Sequence, residues 1–121
     1  MKKVLIIEDD SFLQGLEATK IIKSGYEVSS AQTGEEAMKK IMEPGIDVIL
    51  LDLLLPDFDG FQILQKIKET ETIKDIPVII FSNLSETKDI EHAISLGATK
   101  FMVKSNFSLE ELIEQIKKLT Q

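Results

Sequence analysis

The sequence predicts an α/β fold: a doubly wound, five-stranded parallel sheet in the order 2-1-3-4-5, with helices on both faces. Three observations carry it. Apolar runs of strand length alternate with longer segments of helical period along the 121 residues. Four of the five runs look apolar on both faces, as the strands of a covered parallel sheet must be. The intervening segments have well-marked helix ends, and right-handed crossovers between parallel strands place them over the sheet.

The first strand is KVLII, residues 3 to 7, followed by a helix that Ser11 can cap and Gly25 can close. YEVSSA, 26 to 31, is the second strand, and Thr33 with Glu36 forms a capping box for the second helix. DVILL, 47 to 51, is the third, and Asp59 caps the helix beyond it. PVIIF, 77 to 81, is the fourth, and Ser85 and Gly97 bracket its helix. KFMV, 100 to 103, is the fifth. The last helix opens on a second capping box, Ser108 and Glu111, and is expected to bury Leu109, Leu112, Ile113 and Ile116, spaced by three and four. With no repeat, linker or low-complexity stretch, residues 1–121 read as one domain with no output domain attached.

Composition narrows the function. No apolar stretch reaches the roughly 18 to 20 residues of a membrane span, so no membrane insertion is expected. The start, MKKVLIIEDD, stops its apolar run at three acids without a cleavage site. Cysteine is absent, which excludes disulfides and thiolate metal sites and fits a cytoplasmic location. A formal charge of -7 argues against direct nucleic-acid binding, which needs a concentrated basic surface.

The chemistry gathers at strand ends. VLIIEDD ends the first strand with Glu8, Asp9 and Asp10, and VILLD ends the third with Asp52. In the order 2-1-3-4-5 these are the two strands at the switch point, where ligands bind. A buried lone carboxylate is costly, so Asp52 must reach solvent or a ligand. Converging carboxylates about 5 Å apart repel by roughly 3 kcal/mol per pair at an effective dielectric near 20. A cation must offset this. A hard divalent ion suits an oxygen-only set, Mg²⁺ above all where phosphate also binds, and Lys104 after the fifth strand adds a second cation. Ser82 after the fourth adds a hydroxyl. Such a set suits a carboxylate nucleophile that receives a phosphoryl group. Asp10 reads as a helix-start charge, Asp57 and Asp59 as loop and cap, and His92, the only histidine, as an exposed residue on a charged helical face.

Glu8, Asp9, Asp52 with Pro56 and Gly60 in DLLLPDFDG, Ser82 and Lys104, all in register, resemble the receiver domain of two-component response regulators, of the stand-alone chemotaxis-regulator kind. The resemblance spans the whole chain and implies a flavodoxin-like (β/α)5 fold. It further implies that Asp52 accepts a phosphoryl group from a histidine kinase or histidine phosphotransfer protein. Mg²⁺ would be held by Glu8, Asp9, Asp52 and the Leu54 carbonyl, with Pro56 and Gly60 shaping the loop that presents Leu54. Ser82 and Lys104 would bind the phosphoryl oxygens, and Phe101 would turn inward as the switch aromatic when the Ser82 hydroxyl moves toward the phosphate. The change would be read by a downstream protein on the face of helix 4, strand 5 and helix 5.

Three departures from that family stand out. Ser105 replaces the usual proline after the lysine, Asn83 is larger than the usual residue after the hydroxyl, and Phe101 lacks a tyrosine's hydroxyl. Two other functions compete: a degenerate receiver that serves only for docking, and an aspartate-nucleophile phosphatase. The latter needs a general acid two residues after the nucleophile, where this chain has Leu54.

Overall fold

The computed structural model describes residues 1–121. Its elements are β1 (Lys3–Ile7), α1 (Ser11–Lys23), β2 (Glu27–Ala31), α2 (Gly34–Lys40), β3 (Val48–Leu51), α3 (Gly60–Glu69), β4 (Val78–Ser82), α4 (Thr87–Ser95), β5 (Lys100–Val103) and α5 (Leu109–Thr120), with a 3₁₀ turn at Lys104–Asn106. The strands form one parallel sheet in the order β2-β1-β3-β4-β5, as the sequence predicts.

Period-2 alternation along the strands divides the core in two. Leu5, Ile7, Ile49, Leu51, Val78 and Ile80 face α2, α3 and α4, where Ala37, Ile63, Leu64, Ile67 and Ala93 meet them. Val4, Ile6, Val48, Leu50, Ile79 and Phe81 face α1 and α5, meeting Ile21, Leu112, Ile113 and Ile116. Three strands, not four, are covered on both faces along most of their length: β1, β3 and β4. β5 is an edge strand, and its first two residues stay exposed or half-buried.

Several helix ends differ in detail from the expectation. Asp10, not Ser11, caps α1, its Oδ1 accepting the Phe12 and Leu13 N–H groups at 3.0 and 3.1 Å. A carboxylate at that position also meets the positive end of the helix dipole. Gly25, at φ +98°, closes the helix. The α2 capping box is half formed: Thr33 Oγ1 accepts from the Glu36 N–H at 3.1 Å, but the Glu36 carboxylate turns back to the Gln32 N–H at 2.7 Å. α4 starts at Thr87, two residues past Ser85, with Glu86 as a cap that makes no side-chain bond. Asp59 caps α3, and the Ser108–Glu111 box forms in full. Leu109 is only half-buried. No helix is long and apolar enough to cross a membrane.

Candidate functional site

Strand register assembles the site. Ile7 pairs with Leu51, so Glu8 and Asp52, the next residues, leave the sheet side by side. Ser82 pairs with Val103, which brings Lys104 alongside. Glu8, Asp9 and Asp52 each present a carboxylate oxygen within 4.8 Å of the others.

Asp52 is 4 % exposed, so it meets neighbours rather than solvent. Oδ2 accepts from Lys104 Nζ at 2.7 Å, while Oδ1 accepts from the Ser82 hydroxyl at 2.8 Å and the Leu54 N–H at 3.0 Å. Lys104 Nζ also lies 2.6 Å from Glu8 Oε1. One ammonium thus offsets two buried carboxylates; removing it would strand both. The Ser82 hydroxyl already engages Asp52, because a buried carboxylate oxygen without a donor would be costly. Any movement of the Ser82 hydroxyl toward another group would therefore exchange partners rather than begin from an outward position.

Protonation follows the same geometry. Burial pushes Glu8 up to about 7, against the Lys104 hydrogen bond that pulls it down, with the Asp52 charge adding to the rise. Burial works to lower Lys104, but its hydrogen bonds to Asp52 and Glu8 prevail and hold it above the ordinary lysine value.

Asp9 is the exposed member of the cluster, and Leu54, in the loop after β3, is 47 % exposed. Three carboxylates without a nitrogen or sulfur donor fit a hard divalent cation. Gly60 closes that loop: its N–H reaches the Leu53 carbonyl at 3.1 Å, and a Cβ there would fall 2.4 Å from Leu53 Cα. Pro56 is exposed at the turn. No peptide bond in the chain is cis, and across a trans bond to Ser105 the Lys104 ammonium still reaches both acids. Asn83 is exposed after β4. Phe101 is half-buried against the core beneath α4. His92 is exposed but not isolated, stacking on Phe61 with ring centroids 4.5 Å apart.

Two residues near the site escape sequence reasoning. Gln14 Nε2 donates to the Glu8 and Ala31 carbonyls at 3.1 and 3.0 Å, tying the end of β1 to β2. Glu17 is 1 % exposed, and its Oε1 has no hydrogen-bond partner. Burial, then the Glu8 charge, pushes Glu17 up to about 8. The one signal that points to them is an irregular apolar stripe: Phe12, Leu16 and Ile22 share no face with Ile21 at helical spacing.

Comparison with known proteins adds an independent line. Residues 4–117 match the response regulator receiver domain family. The gliding motility regulatory protein of Myxococcus xanthus is 34% identical over 118 residues, 98% of this chain and 15% of its own length. The DNA-binding dual master transcriptional regulator RpaA of Synechocystis is 31% identical over 119 residues, 98% of this chain and 49% of its own. This chain therefore spans half or less of those two proteins. The solved receiver domain of the Francisella response regulator 1452 superposes with a TM-score of 0.89 at 30% identity, covering 99% of this chain and 97% of that one. From the family match and the shared fold, the chain belongs to the response regulator receiver domain family.

Proposed function

We propose that Asp52 accepts a phosphoryl group from the phosphohistidine of a histidine kinase or phosphotransfer protein, and that the modified site alters binding to a downstream protein. The observation that carries this reading is the setting of Asp52, with Lys104 at 2.7 Å, Ser82 at 2.8 Å and two further carboxylates within 4.8 Å. An Asp52 oxygen attacks phosphorus; the P–N bond breaks, its electron pair stays on the imidazole nitrogen, and an acyl phosphate results. Lys104 and Ser82, released from the carboxylate, donate to the phosphoryl oxygens. Glu8, Asp9, Asp52 and the Leu54 carbonyl would hold Mg²⁺, which neutralises charge on the transferred group.

Leu54 offers no proton-transferring group two residues past the nucleophile, which favours a switch over a turnover catalyst. A path outward is supported by Ser82, whose Oγ lies 3.4 Å from the Leu84 N–H in the segment leading to α4. Leu84, Leu96 and Phe101 pack against one core, so a shift at Ser82 would be felt across α4 and β5, and Met102 of β5 packs with α5 in the other core.

Incubation with a small phosphodonor and Mg²⁺, followed by intact-mass measurement, tests the acceptor. One phosphoryl group should be gained by the parent and none by Asp52→Asn; labelling of the variant sinks the assignment. With a beryllofluoride mimic, Ser82→Ala should show much smaller amide shifts on α4, β5 and α5 than the parent. Equal shifts would remove Ser82 from the path.

A further inference from the structure

The loop between β3 and α3 carries Leu54, and it is tied down at three places. Near the site, the Leu54 N–H donates to Asp52 Oδ1 at 3.0 Å. At its far end, Leu54 bridges to Asp59, and Gly60 lies against Leu53. The third tie leaves this unit altogether. Asp57 reaches the start of α2, its Oδ1 accepting the Gly34 N–H at 2.6 Å and its Oδ2 the Glu35 N–H at 3.0 Å. With Thr33 serving the Glu36 N–H, the first three amides of the helix are all satisfied, two of them by a residue from the opposite loop. Phe58 completes the clamp by lying on Gly34: a Cβ there would fall 2.2 Å from Phe58 Cδ2.

This geometry gives Asp57 a reason to matter to a site that it does not touch. An exposed loop of backbone carbonyls has many conformations, and a carbonyl ligand binds a cation well only if ordering the loop is already done. We infer that Asp57 and Phe58, seated on Gly34 and Glu35, are positioning residues that hold the Leu54 carbonyl ready for the divalent cation. The inference rests on the cation reading under Proposed function. Groups that support a metal's ligands from outside commonly change affinity by about 10- to 100-fold when altered, and one carbonyl among four ligands places the expected effect near the lower figure.

The experiment is a Mg²⁺ titration by calorimetry, alongside amide NMR of the same samples, on the parent and four variants. Asp57→Ala should weaken Mg²⁺ binding about tenfold, with amide shifts in the metal-free protein at residues 53 to 59 and 34 to 36. Asp57→Asn, keeping one acceptor, should fall between Asp57→Ala and the parent. Gly34→Ala should weaken binding without altering any charge, by displacing Phe58. Glu35→Gln removes a nearby exposed negative charge and leaves the backbone clamp intact, so it should bind nearly as the parent does. If Asp57→Ala fails to fold, Asp57→Asn and Gly34→Ala carry the comparison. Parent-like affinity in the clamp variants, or an equal loss in Glu35→Gln, overturns the positioning role while leaving the site itself standing. A parent that binds no Mg²⁺ overturns the cation reading, and the clamp's role with it.

Discussion

α1 and α5 lie on the same face of the sheet and solve the same packing problem in opposite ways. α5 buries Leu112, Ile113 and Ile116 and turns its charges outward. α1 buries Gln14 and Glu17 with Ile21, and leaves Phe12, Leu16 and Ile22 exposed at 76, 44 and 55 %. Transfer free energy alone would have rotated α1 the other way. Its rotation is instead set by polar residues just beyond the end of β1. Asp10 caps the helix, Gln14 spans the ends of β1 and β2, and Glu17 lies one turn further along the same face. A helix next to the site is thus oriented by polar contacts; one at the far end of the chain is oriented by its apolar stripe.

Substitutions can break this contrast, and the largest effect belongs to α5. Ile116→Ala should cost roughly 2 to 5 kcal/mol in urea unfolding, through lost burial and the cavity left behind. A loss below about 1 kcal/mol would mean that α5 is not held by its stripe.

Glu17→Leu should act in the reverse sense and depend on pH. Below about pH 4 both folded and unfolded Glu17 carry the proton, and it imposes no electrostatic penalty. As pH rises through the unfolded value near 4.5, only the unfolded chain releases it, so stability of the parent falls; the loss levels off above the folded value of about 8. At pH 7 the penalty is roughly 3 kcal/mol. The advantage of Glu17→Leu over the parent should therefore grow from pH 4 to pH 8. A difference that stays flat over this range would show that Glu17 is not held protonated.

Gln14→Leu should cost about 1 to 2 kcal/mol, since the Glu8 carbonyl loses its donor inside the fold. Faster amide hydrogen exchange at the end of β1 would mark the effect as local, and unchanged exchange would remove Gln14 from the scaffold of the site. Smallest of all, Phe12→Ser and Leu16→Ser should each change stability by less than about 0.5 kcal/mol, as exposed positions do. A larger loss in either would mean that the outer face of α1 is covered in solution.

The strands, their order and the helix count are open to sequence reasoning because burial imposes a period and a length on each element. So are the carboxylates, hydroxyl and lysine of the site, since each lies at the end of an apolar run. Asp57 reads only as a loop residue, and the reason is physical. Its partners, Gly34 and Glu35, lie more than twenty positions away and take part through backbone N–H groups, which carry no side-chain signature. Gln14 and Glu17 are hidden similarly, because a period of 3.6 predicts which face an apolar stripe selects and has no means of registering a carbonyl to be bridged.

The architecture and the residue types of the site are written in the chain order itself, because hydrophobic pattern, caps and strand-end acids act locally and leave their marks one after another. Which oxygen faces which donor is settled only in three dimensions. Asp52 is shared between Lys104 and Ser82, and Glu8 leans on the same ammonium. Those contacts join residues 30 to 96 positions apart, and their geometry follows from strand register and helix rotation, quantities that exist only once the sheet has formed.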